Sequence, residues 1–179
     1  MPAKPSTFNP MEILKHPIRS NWSGYIDGLK MSGQEFYNLL QESIDERAYP
    51  DIRFNRVKHK QSRGPFGAKR EYLRVKRKEY YFDVCAAHFG NGCFFSYWSF
   101  ERISLIHRLI YILPIIGKNL VFFLRKRTYY QQDEQSVFLS ATHDAVLELV
   151  KGQIKQNGLR DLSELEQRPI MYDLKGRRV

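Results

Sequence analysis

The sequence predicts an α+β fold, an antiparallel β-sheet of about four strands with two long packing helices, and three observations carry that expectation. The hydrophobic period falls from near four to two after Pro50, two hairpin signals at Lys78-Glu79 and Asn91-Gly92 fold the stretch that follows, and a helical period returns from Asp133. The expected order is α-β-β-β-β-[apolar helical hairpin]-α. A chain of 179 residues holds one good core more easily than two. We therefore expect a single domain over 31–158, a Pro-, Ser- and Asn-rich arm or loosely packed lead-in over 1–30, and a C-terminal turn and tail over 159–179.

The first helix lies in "SGQEFYNLLQESIDERAYP". Ser32 and Glu35 have capping-box spacing, Phe36, Leu39, Leu40 and Ile44 recur on one face, and Pro50 closes the run. "DIRFNRVKHK" then alternates Ile52 and Phe54 with Arg53 and Asn55, as a strand with one buried face does. "SRGPFG" reads as a connecting loop. In "REYLRVKRKEYYFDVCAA" two strands fold at Lys78-Glu79, with Leu73 and Val75 on one face of the first and Phe82, Val84 and Ala86 on one face of the second. Asn91-Gly92 is read as the next two-residue turn, returning an aromatic strand from Phe94 to Phe100. In the second long helix, Phe138, Ala141, Ala145, Leu149 and Ile154 lie near one face, and Asn157-Gly158 supplies its C-cap.

Charge is concentrated in one block. Residues 53–78 hold eleven Lys and Arg against the single acid Glu71, which equals the net charge of +10 carried by the whole chain. Elsewhere acids and bases nearly cancel. A localised basic stretch implies an anionic partner such as acidic lipid or nucleic acid; the plainer alternative is a charged strand pair that protects a sheet edge. Arg74, Lys76, Arg77 and Lys78, near the hairpin tip, are the anion-binding candidates.

The other conspicuous feature is "RLIYILPIIGKNLVFFLRKR". From Ile103 to Leu124 the run is 22 residues, near the length of a membrane span, about 20 residues. Its content argues against a span. His107, Arg108, Lys118 and Asn119 interrupt it, and a central Lys or Arg costs roughly 2.5 to 3.5 kcal/mol on insertion. Pro114 lacks an amide and Gly117 favours a break, so the expectation is an apolar helical hairpin inserted at 103–127. The residues Tyr111, Ile112, Ile115, Ile116, Val121, Phe122 and Phe123 leave little polar face and are the candidate membrane or partner contacts; Arg125, Lys126 and Arg127 would meet lipid phosphates. A plain core helix or the interface of a homo-oligomer would cover the same residues.

Candidates for chemistry are sparse. Cys85, His88 and Cys93 supply zinc-ligating residue types as C-x2-H-x4-C, but only three are local, and an Asn91-Gly92 turn sets Cys85 opposite Trp98 and His88 opposite Phe95. The better reading is two strand cysteines acting as small hydrophobes. Lys76 with Glu71 and Asp83 has the composition of a nuclease-like set, yet no acidic cluster, nucleophile elbow or phosphate loop accompanies it. The sequence thus reads as a module without a cofactor and without assigned catalysis. The N-terminus has no apolar signal core and only two cysteines occur, which points to a cytoplasmic protein at the inner face of a membrane.

Two resemblances bear on these expectations. The order helix, antiparallel strands, helix, with a Gly-Pro in "RGPFGAKREYLRVKRK", resembles double-stranded RNA-binding domains, although "QQDEQS" is acidic where those domains begin their second helix with lysines. "AKREYLRVKRKEYYFDVCAAHFGNGCFFSYW" and "LPIIGKNL…KRTYYQ" together resemble small conserved bacterial proteins of unknown function, over about half the chain. That resemblance bears on fold and brings no activity. The reading that follows is a non-enzymatic basic module that docks on an anionic membrane surface, or on a membrane-bound protein, with nucleic-acid backbone binding as the alternative.

Overall fold

A six-stranded antiparallel sheet lies under two long helices. The computed structural model describes residues 18–60, 69–102, 128–173 and 177–178. In chain order the elements are β1 (Ile18–Asp27), α1 (Gly33–Glu46), β2 (Ile52–Lys60), β3 (Lys69–Arg77), β4 (Tyr80–Phe89), β5 (Gly92–Glu101), α2 (Tyr129–Gln156), the short α3 (Glu164–Gln167) and β6 (Ile170–Met171). The spatial order is β2-β3-β4-β5-β1-β6. Strands β2 to β5 form the meander expected from the sequence, whereas β1 sits beyond β5 at the far side. Helix α1 therefore carries the chain back across the sheet from β1 to β2.

The sheet exceeds the expected four strands by two, and each extra strand has a reason for escaping notice. In β1 the inward positions are Ser20, Trp22, Gly24 and Ile26, so half of the apolar alternation is missing. Gly24 is small because the Trp22 indole lies along the strand over it; a Cβ there would stand 2.9 Å from the ring. The Trp22 Nε1 donates to the Glu166 carbonyl at 2.6 Å, fastening α3. β6 is two residues long, paired to β1 at Ser20 and Asn21, too short for any periodicity.

One face of the sheet makes the core. Leu73, Val75, Phe82, Val84, Phe95 and Tyr97 from β3 to β5 meet Phe36, Leu40 and Ile44 of α1 and Phe138, Ala145, Val146, Val150 and Ile154 of α2. Apolar burial on this scale is the main favourable term in folding. Ser32 caps α1, its hydroxyl accepting from the Glu35 amide at 3.1 Å. Helix α2 begins at Tyr129, earlier than its apolar period shows, because Thr128 and Gln131 form a reciprocal capping box. Its buried stripe runs through Thr142, Val146 and Val150, with Ala141 and Leu149 half-buried beside it. Thr142 is tolerated because its hydroxyl donates to the Phe138 carbonyl at 2.8 Å.

The β4–β5 turn also differs from expectation. Phe89 pairs with Gly92, so the turn residues are Gly90 and Asn91, and Gly90 takes the positive φ of 61° that the first turn position requires. Gly92 instead lies in the strand, where a Cβ would fall 2.2 Å from the Ile26 carbonyl oxygen of β1. The register becomes Cys85 opposite Ser96 and His88 opposite Cys93.

Strands β3 and β4 pair only from Leu73↔Val84 to Arg77↔Tyr80. Beyond that the Tyr37 hydroxyl of α1 replaces the ladder, donating to the Glu71 carbonyl at 2.9 Å and accepting from the Ala86 amide at 3.1 Å. Arg56 stacks on the Tyr37 ring, 4.5 Å from its centroid. Tyr37→Phe strands one acceptor and one donor, and should cost about 1 to 3 kcal/mol in urea unfolding while speeding amide exchange at Ala86.

Candidate functional site

Strand alternation divides the basic block between the two faces of the sheet. Arg77 follows Leu73 and Val75 on the helix side. There it meets Glu134 of α2 at 2.9 Å, and Lys78 at the β3–β4 turn meets the same carboxylate at 2.9 Å. Lys78 and Arg77 hold the Glu134 carboxyl below the ordinary carboxylate value, Lys78 contributing most. Lys78 has a positive φ of 51°, uncommon for a non-glycine residue.

Arg74 and Lys76 project from the opposite, outer face. Arg74 grips the buried Asp83 with both forks, Nε to Oδ1 at 2.6 Å and Nη2 to Oδ2 at 2.7 Å, and His59 Nε2 reaches Oδ2 at 3.0 Å. The hydrogen bonds to Asp83 push the Arg74 guanidinium further toward its charged form. Its plane also covers the Tyr81 and Phe100 rings, at 5.1 and 5.3 Å to their centroids. Of the four expected anion-binding residues in the β3–β4 hairpin, Arg74, Arg77 and Lys78 are thus held by carboxylates of the same chain, whereas among the described residues no carboxylate pairs with Lys76.

Lys76 belongs to a cross-strand row. Arg53 faces Lys76, Lys76 faces Tyr81 and Tyr81 faces Phe100. The two rings stack 5.4 Å apart with 7° between their planes, and the Lys76 ammonium stands 5.6 Å from the Tyr81 centroid. Arg102, at the end of β5, reaches the Tyr81 hydroxyl at 3.5 Å. Arg53, Arg102, Tyr81 and Phe100 were not among the expected site residues. The alternation of β2 already places Arg53 on the outer face, but its neighbour across the strands depends on register.

Comparison with protein-family models, curated proteins and solved structures finds no match.

The remaining expected residues are dispersed. Cys93 donates to the Leu29 and Met31 carbonyls at 3.2 and 3.4 Å, with His88 Nδ1 3.7 Å from its sulfur. Cys85 points from the other face of the sheet, and burial pushes both thiols up. Among the described residues no three His, Cys, Asp or Glu side chains gather as metal ligands. Glu71 shares the helix-side face with Leu73 and pairs with Lys58, so it is separated from Asp83 and Lys76. Tyr111, Ile112, Ile115, Ile116, Val121, Phe122, Phe123, Arg125, Lys126 and Arg127 lie outside the described residues. Among the described residues no helix is long and apolar enough to cross a membrane.

The described residues on either side of 103–127 are held in place. The Arg102 amide donates to the Glu79 carbonyl at 2.8 Å, and the Tyr80 hydroxyl donates to the Gln131 carbonyl in the first turn of α2 at 3.2 Å. Arg102 and the first turn of α2 therefore both lie beside the β3–β4 turn. Tyr129 and Tyr130, 87% and 70% exposed, begin that helix. Behind them a pocket of about 320 Å³ is lined by Tyr49, Pro50, Ile52, Tyr130 and Val137, with Arg77 and Glu134 at its polar side.

Two outcomes follow. Asp83→Ala removes the carboxylate that Arg74 needs, and should cost about 3 kcal/mol in urea unfolding, the lower end for breaking a buried pair because Arg74 is partly solvated. Glu134 titrates lower in the folded chain than its ordinary 4.5, so the native state binds fewer protons and the carboxylate stabilises it above pH 4.5. That contribution fades as pH falls through the folded value. Glu134→Gln should make stability fall less steeply below pH 4.5, measured by denaturation across an acid pH series.

Proposed function

We propose that this protein is a non-enzymatic module that docks on an anionic membrane surface at the end of the sheet bearing the β3–β4 turn. One observation supports the reading most strongly. The described residues on either side of 103–127 are held near that turn, Arg102 by the Glu79 carbonyl and Gln131 by the Tyr80 hydroxyl, and the exposed Tyr129 and Tyr130 and the cations Lys76 and Arg102 lie at the same end of the sheet. Tyrosines with an apolar ring and a polar tip suit the depth of lipid headgroups. Basic residues at such a surface contribute about 1 kcal/mol each. The sequence of 103–127 adds Ile115 and Phe122 as residues that enter the apolar layer, and Arg125, Lys126 and Arg127 as an anchor beside it.

The nucleic-acid alternative has less support. Sequence-tolerant binding of single strands uses open aromatic faces for bases, but Tyr81 is only 7% exposed and its ring is already stacked on Phe100. The added strands β1 and β6 are a further departure from the double-stranded RNA-binding order. Liposome flotation tests the proposal: the chain should float with acidic-lipid vesicles, and Ile115→Glu, Phe122→Glu or the pair Tyr129→Glu and Tyr130→Glu should leave it at the bottom. If those variants float as the parent does, docking through this end is wrong. Binding to nucleic acid would instead ignore Phe122→Glu and fall steeply with salt.

A further inference from the structure

The outer-face row poses a problem that structural roles leave unsolved. Arg53 and Lys76 are direct cross-strand neighbours, and like charges so placed destabilise a sheet by roughly 0.2 to 1 kcal/mol. Arg102 adds a third cation on the other side of Lys76, at the hydroxyl of its neighbour Tyr81. Among the described residues no carboxylate lies within ion-pair reach of Arg53, Lys76 or Arg102. Edge protection accounts for Arg53 on the outermost strand, but not for Lys76 on β3, which is paired on both sides. Nor is Asp83 the missing balance, since its carboxylate beneath the row is already taken by Arg74.

The geometry points to a phosphate site: Lys76 and Arg102, both beside Tyr81, with Arg53 across the strand pair from Lys76, bind the phosphomonoester headgroup of an anionic lipid. A phosphomonoester carries between one and two negative charges and three acceptor oxygens, which matches several donors gathered on one spot better than a singly charged diester does. Guanidinium groups present paired donors to such oxygens, while an ammonium adds a point charge. Arg74 and Asp83 form a fixed floor, so the site needs little ordering when it binds. Arg53 and Arg102 are exposed and Lys76 half-buried, leaving all three reachable from the outer face.

This assignment rests on the docking reading and narrows it to a headgroup. The test compares vesicles of phosphatidylcholine mixed with phosphatidic acid against vesicles mixed with phosphatidylglycerol, matched for surface charge, in a co-sedimentation assay. The parent chain should prefer phosphatidic acid. Lys76→Gln and Arg102→Gln should each weaken binding to it about fivefold, the worth of one basic residue at an anionic surface, and together should erase the preference. Lys30→Gln, which removes the same charge from the exposed β1–α1 loop, should change nothing. Equal binding to both vesicle types overturns the phosphate site and leaves docking standing. Binding of soluble glycerol phosphate that the double substitution abolishes, without sedimentation on either vesicle, supports the site and overturns docking. Preference undiminished in the folded double variant, checked by its circular dichroism, places recognition elsewhere and overturns the site.

Discussion

The fold turns on the Tyr97 side chain. Its ring packs on Phe82 of the neighbouring strand at 4.1 Å and stacks with Trp22 of β1 at 6.3 Å. Its hydroxyl meets His143 Nδ1 of α2 at 3.0 Å. β1 and α2, both distant in sequence, are thereby brought with β4 to one aromatic side chain. Burial pushes the Tyr97 phenol up and the His143 imidazole down, which favours the neutral form of each and a hydrogen bond that brings no uncompensated charge into the core. Trp22 passes the connection to α3, and β1 passes it to β6. The C-terminal segment is thus fastened through a chain of contacts that begins at one tyrosine.

Against that core, the protein handles its cations in two ways. Facing the helices, Arg77 and Lys78 are matched by Glu134 and tie the β3–β4 turn to α2. Facing outward, Arg74 is matched by Asp83, while Lys76, Arg53 and Arg102 are unmatched among the described residues. A strand alternates its side chains between two surfaces, so a run such as Arg74-Val75-Lys76-Arg77 sends Val75 and Arg77 toward the helices and Arg74 and Lys76 to the outer face. A net charge concentrated in one stretch of sequence need not form one patch in space.

How much of this was legible depends on the element. The helix over Phe36 to Ile44 and the meander were readable, because a strong period and the turn at Lys78-Glu79 agreed. Strand β1 was hidden by Ser20 and Gly24, whose smallness makes sense only once Trp22 is seen lying over Gly24. The β4–β5 register was displaced because Asn91-Gly92 imitates a preferred turn, whereas Gly92 is demanded by the approach of Ile26 from β1, a long-range contact no local rule reports. Tyr37 reads as one more aromatic on an amphipathic helix; its role in closing the gap between Glu71 and Ala86 depends on where β3 and β4 separate. Likewise Lys76 could be singled out from composition, but its company of Arg53, Tyr81 and Arg102 required the pairing of four strands.

The position of β1 has a bearing on how the chain reaches this structure. Its strand partners are β5 and β6, so on a growing chain Ile18 to Asp27 is made long before either exists. Strands β3 to β5 are joined by two-residue turns and can assemble early, whereas joining β1 to them encloses α1, β2, β3 and β4 within one large loop, the kind of distant pairing that slows folding. Trp22 and Ile26 consequently spend the interval without their final cover. During synthesis β1 is a late arrival in the sheet: it can first pair when β5 has left the ribosome, and β6, made later still, then covers its other edge.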